Sequence, residues 1–557
     1  MKDTNGSTVE DFMDKHGLVC MNDGRPTRFE IKTGVGSCID LALASSEYAR
    51  VGEWDNMDRC SMGSDHFPIL LRFGKTLLTD DQTRPTYLNY GKADWEKFSS
   101  KCDSGLDSVN GEGSIDERNN SLCAMILSSA YECIPLKKNS KTRVSVPWWN
   151  RACDKAVRDR NCAYRLLRRC PTENNALEYK RLRAKARRVI QVTKKECWRG
   201  YCGELGVDTS VGDIWAAVHH MSGVVRKRRM PVLDEKGVIA KSDIEKAEMC
   251  ESKFKDVHRG ANIGEEGIRK RNETLRQHIL KLGVNDDNAD CVNLYFSIEE
   301  LRRAINKGGK TAPGKDGISY EIFKRIGDLV VEEMLALMNT VWKEGRLPLA
   351  WKQAVVVPML KPGKEAEHPG SYRPIALTAV MCKIMERMVT DRLVYKLEKE
   401  GWFTLMQSGF RRGRSTMDSV ISLDSDVKKA MVNKEGVVAV FLDIEKACDL
   451  LWKEGLIIKP YDAGIRGRML NWVQDFLKNR VIQVRVGEAM SNGTCVENGT
   501  PQGSVISLVL FNVMVNDIFK DIGSGFGFSL FADDGTVWKR GRNIKHITEK
   551  IQEALIK

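Results

Sequence analysis

The sequence has no apolar run long enough to cross a bilayer, and its first residues, MKDTNGSTVED, lack the apolar segment of a signal peptide. Its sixteen cysteines are scattered, without the paired CxxC spacing of a zinc site. No segment repeats along the chain. These absences predict an intracellular protein without a membrane span, in which the cysteines are reduced thiols rather than disulfides or zinc ligands.

The composition is that of a folded protein with a modest basic excess. Among 557 residues, 42% are apolar and 29% are charged, which argues against wholesale disorder and allows more than one domain. Lysine and arginine total 88 against 75 acidic residues, giving a net charge of +13. The meaning of this excess depends on where the basic residues cluster.

The chain divides into three sections that differ in composition and in the spacing of apolar residues. Residues 1–75 hold short apolar runs broken by Gly, Pro and Asn, typical of the edge of a β-rich domain but too few to enclose a core. Residues 76–295 are mostly helical by period and rich in basic residues, as in a linker region. From residue 296, helices and strands alternate, beginning with a helix that Ser297 and Glu300 cap. The predicted fold class is α+β.

Two consecutive predicted helices, at about residues 150–203, carry a dense set of basic residues with Tyr164, Trp198 and Tyr201 among them. The set either forms the solvated outer face of a helical hairpin or contacts nucleic-acid phosphates, and the two interpretations are compatible. The basic residues are Arg165, Arg168, Arg169, Arg181, Arg183, Arg187, Arg188, Lys194 and Lys195.

Two adjacent aspartates, Asp533 and Asp534, lie between apolar runs in FSLFADDGTVW. The pattern predicts strand, turn and strand, with the turn at Asp-Asp-Gly, and a turn alone would explain the motif. Asp443, however, ends the apolar strand GVVAVFLD. If the two strands are neighbours, three carboxylates converge, and hard divalent cations would relieve their repulsion. Paired Mg²⁺ ions are the usual device for in-line displacement at a phosphate.

Glycine-rich and basic segments suited to a nucleotide accompany these aspartates. GTPQGSVIS places Gln502 and Gly503 ahead of an apolar helix, where backbone approaches a ligand closely. LKPGKEAEHPGSYRPIAL offers Lys361, Lys364 and Arg373 for a triphosphate. GFRRGRST adds a tight basic cluster. Each segment alone is weak evidence, but their occurrence together in this order is hard to attribute to chance.

Six blocks, KTAPGKDGIS, SYRPIAL, SGFRRGRST, FLDIEKACD, GTPQGSVIS and FADD, occur in this order over residues 296–557. In this the chain resembles the polyprotein of a jockey-like LINE-type (non-LTR) retrotransposon, in which an apurinic-like endonuclease precedes a reverse transcriptase. The resemblance implies a right-hand polymerase with fingers and palm in residues 296–557. Its partners would be an RNA template, a DNA primer or target, and dNTPs, with the RNA–DNA hybrid gripped by its backbone.

The resemblance also implies the roles of individual residues. Asp443, Asp533 and Asp534 would be catalytic and would hold two Mg²⁺ ions, with Mn²⁺ as an alternative. The implied nucleotide-binding residues are Lys361, Arg373, Cys448, Gln502 and Gly503. At position 448 the family usually has an aromatic residue that excludes a 2′-hydroxyl, so Cys448 predicts weaker discrimination against ribonucleotides.

Near the N-terminus, GSCIDLALAS and GSDHFPILL are similar to the last two blocks of the endonuclease/exonuclease/phosphatase β-sandwich. This makes residues 1–75 resemble the C-terminal fragment of that domain. His66 would be the catalytic histidine, oriented by Asp40, and Asp65 would assist near the metal and phosphate. The earlier blocks of that family have no counterpart in this sequence, so we expect no endonuclease activity.

The sequence stops in the helix after FADD, before the primer-gripping hairpin and thumb of the family. Because orienting the primer is worth many kcal/mol in such chemistry, we expect an incomplete polymerase. Two functions therefore stay open: an RNA-directed DNA polymerase, and a catalytically inactive nucleic-acid-binding retroelement remnant. The expected location is the nucleus or the cytoplasm, since the family must reach chromosomal DNA.

Overall fold

The computed structural model describes residues 4–30, 35–57, 64–73, 88–109, 111, 113–136, 146–206, 209, 211–222, 230–259, 264–282, 290–309 and 311–556. The chain forms two compact units, one of residues 1–87 with 137–228 and one of residues 88–136 with 229–557. Residues 88–136 and 229–295 thus belong to the same unit as residues 296–557. The three domains expected from the sequence stay a prediction.

Helices and short strands make up both units. In chain order the elements up to residue 222 are α1 (Thr4–His16), β1 (Leu18–Cys20), β2 (Arg28–Phe29), β3 (Gly36–Ser37), β4 (Leu43–Ser45), α2 (Ser46–Val51), β5 (Gly52–Asn56), β6 (Ile69–Phe73), α3 (Trp95–Ser104), α4 (Ile115–Cys133), α5 (Arg151–Arg169), α6 (Glu173–Gly203) and α7 (Val211–Ser222). From residue 233 they are β7 (Leu233–Glu235), β8 (Val238–Ala240), α8 (Asp243–Val257), α9 (Glu265–Leu282), α10 (Ile298–Asn306), α11 (Tyr320–Phe323), α12 (Asp328–Glu344), β9 (Gln353–Leu360), β10 (Tyr372–Leu377), α13 (Val380–Lys399), α14 (Thr416–Val432), β11 (Gly436–Asp443), α15 (Gly455–Asp462), α16 (Gly467–Leu477), β12 (Val481–Val486), β13 (Ala489–Met490), β14 (Thr494–Cys495), α17 (Ser507–Val515), β15 (Gly527–Phe531), β16 (Asp534–Gly541) and α18 (Ile544–Ile556). None of the described helices is long and apolar enough to cross a membrane.

Among the described residues of the first unit, the N-terminal strands form three two-stranded sheets: β1 with β4, β2 with β3, and β5 with β6. The long helices α5 and α6 pack against each other as a hairpin, which we call the basic hairpin. The aromatic residues Phe29 and Phe67 from the N-terminal strands and loops join Tyr164, Leu167 and Tyr179 of this hairpin in one buried cluster. The N-terminal segment therefore completes its core with α5 and α6, as expected of a segment too small to enclose its own.

The second unit has a large helical core and two sheets. Its core holds the fully buried Trp342, Trp351 and Trp472. In the five-stranded sheet, β10 pairs with β9, β9 pairs in parallel with β12, and β12 also pairs with β13 and β14. Helix α8 packs on this sheet through Ala247, Cys250 and Phe254.

The other sheet of this unit is three-stranded and antiparallel, in the order β11-β16-β15. The strands predicted from GVVAVFLD and from the start of FSLFADDGTVW are present as β11 and β15. The capping box predicted at Ser297 is present, with Glu300 accepting the backbone N–H of Ser297 at 2.9 Å. The mixed helix and strand architecture expected from the sequence is confirmed.

Candidate active site

Strands β15 and β16 form a hairpin whose turn is Ala532 and Asp533. The predicted turn at Asp-Asp-Gly was thus wrong by one residue, since Asp534 and Gly535 lie in β16. A two-residue hairpin requires a positive φ, and buried Ala532 supplies it with φ +57°. Gly535 serves packing instead, because a Cβ there would lie 3.3 Å from the ring of Phe519.

The three aspartates are brought to one end of the three-stranded sheet. Asp443 and Asp534 lie directly opposite each other, as the last pair in the register of β11 and β16. Asp443 and Asp533 both line a cavity of about 620 Å³, which we call the Asp443 cavity. Asp534 is exposed and is not among the residues lining this cavity.

These carboxylates form an incomplete ligand set for a divalent ion. Within the described residues, no three or more His, Cys, Asp or Glu side chains are close enough to hold a metal ion. Mg²⁺, however, is usually bound through one or two carboxylates together with substrate phosphates, rather than by a cage of protein ligands. Asp443 and Asp533 on one cavity wall fit that requirement. Ligation of metal by all three aspartates stays a prediction.

The five residues expected to bind a nucleotide all line the Asp443 cavity: Lys361, Arg373, Cys448, Gln502 and Gly503. The Arg373 side chain is exposed, and among the described residues its guanidinium has no hydrogen-bond or ion-pair partner. Within the part of the chain that the structure describes, the Lys361 ammonium donates to the carbonyl of Gly370, at 3.3 Å, and to no other group. Two cations with spare donors therefore face the same space as two carboxylates, which is an arrangement suited to a metal-bound polyphosphate.

The turn that carries Gln502 and Gly503 lies against strand β10. The carbonyl of Gln502 accepts the backbone N–H of Ala376 at 2.8 Å. Gly503 has φ +115°, and a Cβ there would lie 2.9 Å from the carbonyl oxygen of Ala376. The side chain of Gln502 donates to Asp449 Oδ1 at 2.7 Å. Only glycine fits this close approach, so the backbone of the turn is fixed at the cavity wall.

Cys448 is half-buried on the same wall. Burial raises the pKa of its thiol to about 11, and the nearby carboxylates of Asp449 and Asp533 act in the same direction. The thiol is therefore neutral at pH 7 and a poor nucleophile. Its contribution to the cavity is its small size.

In the first unit, His66 Nδ1 lies 2.8 Å from Asp40 Oδ2, which is the pairing that the sequence resemblance implies. The backbone of Asp40 is held on both sides. Its N–H donates to Thr27 Oγ1 at 3.0 Å, and its carbonyl accepts from Asn22 Nδ2 at 2.9 Å. The orientation of the carboxylate towards His66 is thus built into the loop.

Asp65 has a different partner, since its Oδ2 accepts from Arg28 Nε at 3.1 Å. A hydrogen bond from its own backbone N–H and the Arg28 guanidinium lower the pKa of this carboxyl. Asp65 is therefore ionised at neutral pH. Its catalytic role, like those of Asp40 and His66, stays a prediction.

Comparison with known proteins gives matches to both the N-terminal and the C-terminal parts of the chain. Residues 359–557 match the family model described as "Reverse transcriptase (RNA-dependent DNA polymerase)", and residues 1–70 match the one described as "Endonuclease-reverse transcriptase". A probable RNA-directed DNA polymerase from transposon X-element of Drosophila melanogaster is 24% identical over 95% of this chain and 58% of its own length. The RNA-directed DNA polymerase from mobile element jockey of the same species is 30% identical over 46% of this chain and 29% of its own length.

The chain is thus similar to the RNA-directed DNA polymerases of non-LTR retrotransposons, with the reverse transcriptase match lying in residues 359–557. It spans 58% or less of the length of these two relatives. Among solved structures, a telomerase from Candida albicans in complex with a fragment of telomeric RNA is 12% identical. It covers 42% of this chain and 45% of its own, at a TM-score of 0.29, which is too low to bear on the fold.

One wall of the Asp443 cavity comes from a segment that the sequence placed in the linker region and outside the matched reverse transcriptase domain. Lys253 and His258, at the end of α8, line the cavity. His258 is buried, and its Nδ1 donates to the carbonyl of Asp449 at 2.9 Å. Lys253 pairs with Glu235 at 2.7 Å. Sequence reasoning missed these residues because nothing local to α8 indicates its distant partners.

The basic hairpin presents most of its cations to solvent. Tyr164, in contrast, is 2% exposed in the core of the first unit and is unavailable to stack on bases. Trp198 is 39% exposed. The exposed basic residues among those noted in the sequence are Arg165, Arg168, Arg169, Arg181, Arg187, Arg188, Lys194 and Lys195.

Proposed function

We propose that this chain acts as an RNA-directed DNA polymerase that binds a dNTP in the Asp443 cavity and transfers it to a primer on an RNA template. One observation carries the proposal. Asp443 and Asp533 line the same cavity as the basic Lys361 and Arg373 and the turn with Gln502. Reverse transcriptases as a family act on a nucleic-acid template and primer, and this cavity has the charge distribution that such a substrate requires.

In this proposal, Arg373 binds the triphosphate, because its free guanidinium offers a planar fork of donors that matches phosphate oxygens. Lys361 adds a second positive charge at the same end of the cavity. Gln502 and Gly503 lie beside the sugar and base, where the fixed backbone of the turn limits how the nucleotide sits. Cys448 faces the sugar.

Two Mg²⁺ ions would be held by Asp443, Asp533 and Asp534, with Mn²⁺ as an alternative. When bound, such ions supply an activated attacking oxygen and stabilise the leaving phosphate. The protein's own part is to bring the carboxylates together and to orient the nucleotide, and orientation accounts for much of the rate in such reactions.

The finer architecture belongs to the same proposal. The strands β9 and β10, with the loop of residues 361–371 that joins them, would form the fingers. The three-stranded sheet with the aspartates would form the palm. The RNA–DNA hybrid would be gripped through its backbone and 2′-hydroxyls. Action on chromosomal DNA would place the protein in the nucleus. The pair His66 and Asp40 would be a remnant of an endonuclease site.

Primer extension tests the polymerase. The purified chain is given an RNA template, a DNA primer, dNTPs and Mg²⁺, and is compared with Asp533→Asn and with the matched control Asp521→Asn. Asp521 is exposed and outside the cavity lining. We expect extension by the wild type and Asp521→Asn, and none by Asp533→Asn. Equal extension by both variants would overturn the assignment of the site.

The exposed cations of the basic hairpin favour a second candidate, a nucleic-acid-binding protein without catalysis. Each phosphate neutralised by Lys or Arg releases a counterion, so affinity would fall steeply with salt. Salt-dependent binding without any extension would support this candidate. In that case, Arg187→Ala together with Arg188→Ala would reduce the slope of log affinity against log salt by about 2.

A further inference from the structure

Glu386 lies on α13 with none of its surface exposed (0%). One of its carboxylate oxygens, Oε2, accepts three hydrogen bonds. The donors are Ser504 Oγ at 2.6 Å, the backbone N–H of Val505 at 2.6 Å and that of Ile506 at 3.3 Å. Removing a carboxylate from water is costly unless it is paired and hydrogen-bonded, and these three hydrogen bonds offset that free-energy cost.

A buried arginine, Arg480, lies near enough to the same carboxylate to interact with it electrostatically, although its hydrogen bonds go to backbone carbonyls. Arg480 is 2% exposed and donates to the carbonyls of Phe476 and Trp351. Burial lowers the pKa of Arg480, while the neighbouring Cys382 and Glu386 act against that effect. Glu386 and Arg480 are thus buried charged residues that take no direct part in the proposed chemistry. Glu386 is not among the residues lining the Asp443 cavity.

The three donors belong to the segment that carries Gln502 and Gly503 into helix α17. At one end of this segment, the carbonyl of Gln502 is bound to strand β10 through Ala376. At the other end, Glu386 accepts the N–H groups of Val505 and Ile506, the two residues just before α17, where a negative charge near the helix N-terminus is favourable. Residues 501–506 are therefore fixed between β10 and α13.

We propose that Glu386 is a positioning residue for the incoming nucleotide. It holds residues 501–506 so that Gln502 and Gly503 keep their places in the Asp443 cavity. This inference rests on the polymerase function proposed above. Glu386 touches neither the nucleotide nor the aspartates, so its effect reaches the reaction only through the turn.

The test compares Glu386→Gln with the matched control Glu300→Gln. Glu300 also accepts a backbone N–H at the start of a helix and pairs with Arg392. Its N–H donor, Ser297, is not in the lining of the Asp443 cavity, whereas Ser504, a donor to Glu386, is. Two kinds of measurement are made on the full chain: KM and kcat for dNTP in primer extension, and hydrogen exchange of the backbone amides of residues 502–506. Ser504→Ala, which removes one donor and keeps the carboxylate, serves as a milder variant.

For Glu386→Gln we expect about a tenfold rise in KM for dNTP with a much smaller change in kcat, since misplacing a binding group by about 1 Å can cost up to ~100-fold. The amides of Val505 and Ile506 should exchange faster, while those of β9 keep their rates. Combining Glu386→Gln with Ser504→Ala should give less than the sum of the two effects, because both act on one hydrogen bond.

The proposal is overturned if exchange over residues 502–506 is unchanged, or if KM rises no more than in Glu300→Gln. If the wild-type chain extends no primer, the polymerase function fails. The exchange comparison would then still support or overturn the role of Glu386 in fixing the turn, so the two failures are distinguishable.

Discussion

Replacing Gly503 by alanine tests how strictly the turn at the Asp443 cavity is defined. At φ +115° the backbone of Gly503 is in a region that residues with a Cβ rarely adopt. The added Cβ would also lie 2.9 Å from the carbonyl oxygen of Ala376, which belongs to strand β10 and can move only with the strand. Gly503→Ala therefore combines backbone strain with a backbone clash.

The two contributions can be separated with a second glycine. Gly523 has φ +89°, but an added Cβ there would meet no atom within 4 Å. Strain alone should cost Gly523→Ala ~1–2 kcal/mol of stability. The clash should bring Gly503→Ala to ~2–5 kcal/mol, because overpacking adds roughly 1–3 kcal/mol. Relief of the clash would displace Gln502, whose carbonyl is bonded to the same Ala376.

The assay is steady-state primer extension at varied dNTP, with thermal unfolding measured on the same preparations. We expect Gly503→Ala to raise KM for dNTP by roughly 10–100-fold, since the displaced Gln502 no longer orients the nucleotide. Gly523→Ala should melt earlier than the wild type but keep its KM. Equal KM values for the two variants would refute the reasoning, because the close contact between Gly503 and β10 would then not affect nucleotide binding.

Two further changes test other parts of the second unit. Cys448→Phe should increase selectivity for dNTP over rNTP, because a ring beside the half-buried position of the thiol would fill the space open to a 2′-hydroxyl; unchanged selectivity would contradict this. Burial raises the pKa of the Asp316 carboxyl from 3.8 to about 6. Its contribution to the free energy of unfolding is therefore fully present below pH ~4 and is lost as the pH rises through 6. Asp316→Asn, which keeps an acceptor for the N–H of Ile318, should stabilise the chain by ~2–3 kcal/mol at pH 7.5 and not at pH 4. Melting temperatures at the two pH values measure this, and equal gains would refute it.

Much of the site could be predicted from the sequence because local pattern and chain order carry it. Asp443 follows an uninterrupted apolar strand, which places its carboxylate at the end of β11. The register of β11 and β16 then sets Asp443 opposite Asp534. The turn was predicted one position late because Asp-Gly is a common hairpin-turn signal. In the structure Gly535 instead lies in β16 and packs against Phe519, a tertiary contact that the local sequence does not reveal.

His258 and Glu386 could not be found in this way. Each interacts with residues far along the chain, His258 with Asp449 and Glu386 with Ser504. A lone histidine after a helix, or a glutamate within one, has no local pattern that distinguishes it from a surface residue. Only the packing of α8 and α13 in the second unit makes them buried.

The basic hairpin shows why binding and folding have to be tested with different residues in the first unit. Tyr164 and Tyr179 pack against Phe29 and Phe67, so this hairpin supplies the core that the N-terminal segment lacks. The exposed cations lie on the same two helices but outside that core. Loss of binding after substitution of Tyr164 would therefore report unfolding, because removing a buried aromatic costs ~3–5 kcal/mol. Substitution of exposed arginines leaves the core intact, so a change in the salt dependence of binding would report contact with phosphate.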